Sequence, residues 1–483
     1  MSMTKDRSIQ AKKLLKDRFG FNSYRAGQEE AISSVLAERH ALVMLPTGTG
    51  KTLCYQLPAY LLGGSTVIIS PLLSLMEDQV EKMKSSGEKS VVALNSFLSF
   101  KEKQTILRNL SAYKFIFVSP EMLQQQGMID QLKQINLSLL VVDEAHCISQ
   151  WGMDFRADYL KLGKVRQELN NPLTLALTAT AVEQVRKDIL SVLNLSSEVD
   201  QIIYPVDRPS IQLRVEQSAG DKQDRLLHAV SEFKGPGIIY FSSKKLADQL
   251  AELIRSQMGI PCESYHSDLD KEDKRRIQSQ FLSDALPVIC ATSAFGMGID
   301  KPDIRFIIHY HLPGSPEMYL QEIGRCSRDR KGGVALLLYE NGDEAIQMRL
   351  QENTLPNRDE LIFAYRHAET LDHLKDDTKI NISRHFIEQN IPFEQAAEMV
   401  DRYQTHKSVQ LRTMVDYAKR QGCKREVLLD YFGEKPEVRR NGCCTGCIRP
   451  LSLPYEPFEW PNLLQKSEDL WQDKLKFLFN LQS

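Results

Sequence analysis

Nine short apolar runs, each separated from the next by a longer and more polar stretch, constrain this chain more than any other feature. In the first part they are ALVML (41–45), TVIIS (66–70), FIFVS (115–119), LLVVD (139–143) and LTLAL (173–177). A second cycle begins near Asp207 and holds GIIYFS (237–242), PVICAT (287–292), IRFIIHY (304–310) and VALLLY (334–339). A strand with one face in water alternates apolar and polar residues; these do not, as expected of strands buried on both faces. The intervening lengths suit crossover helices, so the expected class is α/β, with two tandem doubly wound parallel-sheet lobes. Such sheets bind ligands beyond the carboxyl ends of their strands, and two of them in tandem create a cleft.

The 483 residues are too many for one core, and about 100–200 residues per domain suggests three units. We divide the chain into a first lobe (1–205), a second lobe (206–345), a helical region with clustered cysteines (346–450) and a tail (451–483). The tail carries Phe458, Trp460, Trp471 and Phe477 and reads as a docking segment, with disorder as the alternative. A net charge of −2 argues against a general coat of basic residues but leaves room for a local basic groove. Cys54, Cys147, Cys262, Cys290 and Cys326 are scattered singly, as reduced core thiols are, whereas Cys423, Cys443, Cys444 and Cys447 cluster and call for metal. The polar start MSMTKDRSIQ lacks the apolar core of a signal peptide, and the longest apolar runs, such as 57–62, are too short to span a membrane. A cytoplasmic location is expected.

The chemistry starts at PTGTGKT (46–52), between a strand and the helical run KTLCYQLPAYLL. Glycines Gly48 and Gly50, flanked by Thr47 and Thr49, let backbone N–H groups close round a phosphate; Lys51 reaches its outer oxygens and the Thr52 hydroxyl ligates magnesium. Leu45 stands where the strict pattern wants another glycine. In DEAH (143–146), Asp143 is placed to hold the magnesium and Glu144 to orient or deprotonate the attacking water. In QEIGRCSRD (321–329), Arg325 and Arg328 could reach from the second lobe to a γ-phosphate held by the first, which ties lobe closure to ATP.

These motifs, with LTAT (177–180), resemble the ordered motifs of superfamily-two helicases. FGFNSYRAGQ (19–28), SPLLSLMEDQV (70–80), DEAHCISQWGMDFRADY (143–159) and AFGMGIDKPDIRFIIHY (294–310) resemble the RecQ DNA helicases in particular, over residues from about 10 to 450. The resemblance implies RecA-like lobes followed by a small helical zinc-binding module. It implies that Phe21 and Arg25 sandwich adenine while Gln28 pairs with the N6/N7 edge; core packing is the alternative for Phe21. It also implies an aromatic-rich loop in which Trp151 and Phe155 stack on single-stranded bases and Arg156 touches phosphate, with Trp151 as ordinary core the alternative. Ser70 and Thr292, with their neighbours, are expected to follow the DNA backbone.

CKREVLLDYFGE (423–434) followed by NGCCTGC (441–447) resembles the RecQ zinc-binding region, and thiolates are good tetrahedral zinc ligands. The family's usual C-x-x-C-x-x-C is altered here: Asn441 takes the first position, and Cys443 and Cys444 are adjacent. Zinc through Cys423, Cys443, Cys444 and Cys447 is expected, with a three-cysteine or metal-free module as alternatives. Cys326-Ser327 replaces the family's alanine-glycine between the two arginines. With about 35 residues after Cys447, neither the winged-helix nor the HRDC domain of full-length relatives is expected, which puts strong unwinding in more doubt than ATPase activity.

The expected function is an ATP- and magnesium-dependent, zinc-containing DNA helicase of 3′-to-5′ polarity, acting in recombination and repair. Expected partners are single-stranded and tailed duplex DNA, with single-strand-binding protein or other repair proteins; no membrane contact and a monomer are expected. The alternatives are a DEAH-type RNA helicase, or a DNA-binding or annealing adaptor with weak ATPase.

Overall fold

Strands form wherever the apolar runs stand. In the computed structural model, which describes residues 2–71, 73–95, 98–149, 157–195, 198–217, 220–296, 299–373, 378–436, 442–447 and 452–458, all nine are β-strands. The first sheet comprises β1 (Ala41–Met44), β2 (Ser65–Ile69), β3 (Val91–Leu94), β4 (Phe115–Val118), β5 (Leu137–Val142), β6 (Thr174–Thr178) and β7 (Asp200–Ile203), in the order β3-β4-β2-β5-β6-β1-β7. The second comprises β8 (Ile211–Gln217), β9 (Gly237–Tyr240), β10 (Cys262–Tyr265), β11 (Val288–Ala291), β12 (Phe306–His309) and β13 (Gly333–Tyr339), in the order β10-β11-β9-β12-β13-β8. Every pairing between these strands is parallel.

The period of two explains the unbroken apolar runs. Leu42 and Met44 face one buried cluster and Ala41, Val43 and Leu45 the other, so both faces of β1 are dry. Each of the larger side chains, fully buried, contributes roughly 1.5–3 kcal/mol. The crossover helices of the second lobe start on side-chain caps: Asp221, Ser243, Asp270 and Ser315 each accept from a first-turn backbone N–H. Caps of this kind are worth about 1 kcal/mol each.

Strands β3, β7, β8 and β10 are additional to the nine. Each lies at a sheet margin, paired with a single strand of its sheet; β7 (DQII) alternates half-buried and exposed residues.

Beyond β13 the chain is helical. The helix Phe393–Lys419 reaches about 40 Å at 1.5 Å per residue. Its start packs in a small separate core with Leu361 and Phe386, while Leu411, Met414 and Tyr417 near its end join the main core. There the Tyr417 and Tyr319 hydroxyls lie 2.9 Å apart, tying it to the helix Pro316–Ile323 of the second lobe. Residues 452–458 run along the second lobe, where Tyr455 donates to Phe233 O at 2.7 Å and Phe458 N to Lys234 O at 3.0 Å. Trp460, Trp471 and Phe477 lie outside the described residues. Among the described residues no helix is long and apolar enough to cross a membrane.

Candidate active site

The phosphate loop leaves the carboxyl end of β1. Gly48 and Gly50 both adopt left-handed backbone, at φ +83° and +81°, which costs glycine nothing. A Cβ at Gly50 would stand 2.9 Å from Gln28 Nε2, so the loop is shaped partly by the segment before it. Gln28 is buried; its amide donates to Thr49 O at 2.8 Å and Gly50 O at 3.0 Å, and its Oε1 accepts from Arg25 N at 2.9 Å. Both amide hydrogens are thus engaged by the loop, and reading an adenine edge requires Gln28 to exchange one of them. Arg25 Nη1 donates to Gly48 O at 2.7 Å. Phe21 is 48% exposed, which sets aside core packing, and it lines a cavity of about 300 Å³ with Arg25, Gln28, Thr52 and Asp300.

Two strands away, separated from β1 by β6, β5 ends in Asp143 and Glu144. Neighbouring strands stand about 4.8 Å apart, so the ends of β1 and β5 are about 10 Å apart, with the phosphate loop and the two acidic residues on the same edge of the sheet. Burial pushes the Asp143 carboxyl up, Glu144 adds to the shift, and Lys51 opposes it. Lys51 Nζ lies 3.5 Å from Leu45 O, folded back over its own loop. Glu144 sits in left-handed backbone at φ +46°, an unusual state for a residue with a Cβ and a mark of local strain. Its Oε2 is buried, hydrogen-bonded to nothing, and 3.4 Å from His146 Nδ1. The Thr178 hydroxyl donates to Thr180 O, so its oxygen accepts from His146 Nδ1–H at 3.1 Å. DEAH is thereby wired to LTAT.

The second lobe meets this loop directly. A Cβ on Gly48 would stand 2.8 Å from Arg328 Cγ, and one on Gly324 would stand 2.5 Å from Thr47 Oγ1. Arg328 Nη1 donates to Ile299 O at 2.7 Å and pairs with Asp300 at 2.9 Å, while its Nε is buried without a partner. Arg325 behaves differently: it is buried and donates to Gly296 O within its own lobe. The structure therefore brings Arg328, but not the head of Arg325, against the phosphate loop.

Sequence reasoning missed Arg208, between the two sheets. Its Nη1 donates to Thr47 O at 2.6 Å and Gly324 O at 3.0 Å, and its Nη2 to Cys326 O and Ser327 O, both at 3.1 Å. Burial draws its pKa down to about 10, still charged at neutral pH. No sequence pattern could have found it, because all four acceptors are backbone carbonyls.

Ser70 follows β2 and Thr292 follows β11, both at carboxyl strand ends; Ser70 is buried with its Oγ unpartnered, and Thr292 is half-buried. Trp151, Phe155 and Arg156 lie outside the described residues, as does Asn441.

The four clustered cysteines converge. Their Sγ atoms all lie within 4.8 Å of one another, with Cys423–Cys443 at 3.9 Å, Cys423–Cys444 at 4.0 Å and Cys444–Cys447 at 3.4 Å. A tetrahedral zinc with Zn–S of about 2.3 Å sets its sulfurs about 3.8 Å apart, so the donor set fits that ion. The adjacent pair is accommodated because the loop clips onto the edge of β8. Leu213 N donates to Cys443 O at 3.1 Å and Thr445 N to Leu213 O at 3.0 Å. Lys424 N and Arg425 Nε donate to the sulfurs of Cys444 and Cys443, at 3.2 and 3.4 Å, as outer partners that hold thiolates in place.

Comparison with known proteins agrees with this layout. Family models match in chain order: DEAD/DEAH box helicase over 25–189, helicase conserved C-terminal domain over 221–330, and RecQ zinc-binding over 378–448. The chain is 40% identical to the "Probable ATP-dependent DNA helicase RecS" of Bacillus subtilis, covering 96% of this chain and 97% of that one. It is 34% identical to the ATP-dependent DNA helicase RecQ of Haemophilus influenzae, over 90% of this chain and 63% of the relative. It is also 34% identical to RecQ of Bacillus subtilis, over 90% and 66%, so it spans just under two thirds of these two RecQ relatives. Among solved structures, the helicase MrfA bound to DNA superposes with a TM-score of 0.58 at 16% identity, covering 77% of this chain and 56% of that one. The helicase Lhr of Mycobacterium smegmatis, bound to single-stranded DNA and AMP-PNP, gives 0.55 at 18%, over 88% and 58%. At these identities the likeness is one of fold.

Proposed function

The chain belongs to the RecQ family of ATP-dependent DNA helicases, and from that premise we propose that it couples ATP hydrolysis to 3′-to-5′ tracking on single-stranded DNA and unwinding of tailed duplexes in recombination and repair. The observation that carries this reading is the direct contact between Arg328 of one lobe and Gly48 of the other, since a hydrolytic site completed across a cleft opens and closes with each turnover. We take the functional units to be the first lobe (1–205), the second lobe (206–345), the helical zinc-binding region (346–450) and the tail (451–483). Neither an RNA helicase nor an adaptor with weak ATPase is favoured beside this family membership.

ATP with magnesium and a structural zinc are the cofactors. Thr47, Gly48, Thr49, Gly50 and Lys51 take the phosphates; Phe21, Arg25 and Gln28 take the base; Thr52 and Asp143 hold magnesium, which neutralises charge on the phosphates. Glu144, with its unpartnered Oε2, orients the attacking water, and Arg328 stabilises charge on the transferred phosphoryl group. Arg325 supports the loop at Gly296. Trp151, Phe155 and Arg156, with Ser70 and Thr292, engage the strand, and the loop's departure from DEAH makes hydrolysis wait for DNA. Zinc in a closed four-thiolate site leaves no position for water and serves folding. Single-strand-binding protein and repair proteins are the proposed partners of a monomer. Stimulation of ATP turnover by DNA and by RNA at equal nucleotide concentration tests the reading: DNA should stimulate and RNA should not, and the reverse would reject it.

A further inference from the structure

The turn that presents Arg328 is strained. Ser327 has φ +49° and Arg330 φ +63°, left-handed values that cost residues with a Cβ free energy unless their surroundings over-determine them. Arg208 supplies that constraint: three of its four acceptors are the carbonyls of Gly324, Cys326 and Ser327, and the fourth is Thr47 O of the phosphate loop. A guanidinium fork can hold two pieces of backbone in one plane, which an ammonium cannot.

Arg208 is itself held from the other side. Arg425, which is buried, pairs with Asp207 and donates to Arg208 O at 3.2 Å and Ile211 O at 2.5 Å, gripping the chain on both sides of Arg208. Its third nitrogen, Nε, donates to Cys443 Sγ at 3.4 Å. A continuous run of hydrogen bonds thus leads from a zinc ligand to the phosphate loop through Arg425 and Arg208. We propose that Arg425 and Arg208 act in series as positioning residues, so that the placement of the cysteine cluster sets the turn that offers Arg328 to the phosphate loop. The zinc module is then part of how the ATP site is assembled. The inference rests on the reading of that turn as the cross-lobe element of an ATPase.

Spatial continuity alone does not prove coupling, so the test is a double-mutant cycle. Arg208→Lys, Arg425→Lys and the double variant of the full chain are compared with the unmodified chain. Four quantities are measured: zinc per chain, kcat and KM of DNA-stimulated ATP hydrolysis, and amide hydrogen exchange over residues 324–330. Misplacement by about 1 Å costs on the order of 100-fold in rate, so each single variant should lose about 10- to 100-fold in kcat. KM should move by less than about 3-fold, since phosphate-loop contacts to nucleotide remain. Exchange over 324–330 should quicken in both single variants while zinc stays at one per chain, and the double variant should fall within about 2-fold of Arg208→Lys.

Native kcat and native exchange in Arg425→Lys overturn the proposal, as do losses that multiply in the double variant. Zinc lost from Arg425→Lys with exchange at 324–330 unchanged overturns it too, because the cluster would have been dismantled without disturbing the turn. Arg208→Lys makes no contact with the cluster and tests the second step on its own. A native chain with no DNA-stimulated turnover would reject the ATPase reading instead, while the exchange data would still report whether the turn answers to Arg425.

Discussion

Gly48→Ala separates a local cost from a cross-lobe one. At φ +83°, an alanine pays about 1–2 kcal/mol for left-handed backbone in every folded state, with the lobes together or apart, and this should appear as lowered Tm. The second cost arises only when Arg328 lies against the loop. The new Cβ would stand 2.8 Å from Arg328 Cγ, 3.2 Å from Cδ and 3.3 Å from Nε. Arg328 cannot simply swing aside, because Ile299 O and Asp300 hold its head. Overpacking of this kind costs about 1–3 kcal/mol. At about 1.4 kcal/mol per tenfold, kcat should fall about 5- to 150-fold. The assay is steady-state DNA-stimulated ATP hydrolysis, with binding of a non-hydrolysed ATP analogue measured in parallel and expected to weaken far less. In an Arg328→Ala background the clash is gone, so Gly48→Ala should add little further loss. Native kcat in Gly48→Ala, or full multiplication of the two losses, would refute the claim that the lobes meet at this pair.

Lys51→Ala and Glu144→Gln should each abolish ATP hydrolysis, but only Lys51→Ala should lose nucleotide binding, because Glu144 acts on the water; equal loss of binding would show that Glu144 has another role. Cys443→Ser should lose the zinc, as should serine at Cys423, Cys444 or Cys447, because the four Sγ atoms form one cluster. Metal content and Tm check this: zinc retained in Cys443→Ser removes that residue from the site, and a native chain without zinc removes the site. A pH effect is expected at His311, where burial, with Lys222 adding to it and Asp343 opposing, lowers the imidazole pKa to about 4. The unfolded chain binds that proton below about pH 6.5 and the folded chain does not, so this contribution to stability is complete above 6.5 and declines towards pH 4. His311→Asn can still accept from Ser242 N and should flatten the fall of Tm over that window; an unchanged slope would contradict the assignment.

The sequence announced the sheets where strands are buried on both faces, since mostly apolar residues, with an occasional threonine such as Thr66 or Thr174, stand there. It concealed β7 and β10, because a margin strand such as CESY needs an apolar residue only where it meets the core. The phosphate loop, DEAH and the arginine turn were legible because their chemistry demands particular side chains at fixed spacing. Arg208 and Arg425 were not, because a side chain that binds carbonyls far along the chain leaves no local pattern. The adjacent cysteines were ambiguous for a related reason. Whether Cys443 and Cys444 can share one cluster depends on the clip to Leu213, more than two hundred residues earlier in the chain.

The proposed function depends on ATP turnover at the cross-lobe site driving strand separation. It is tested most directly by strand displacement on a duplex with a 3′ single-stranded tail, run with and without ATP, beside a duplex with a 5′ tail. The expected result is displacement of the 3′-tailed duplex with ATP, none without it, and little on the 5′-tailed one. ATP hydrolysed at full DNA-stimulated rate with neither duplex displaced would contradict it.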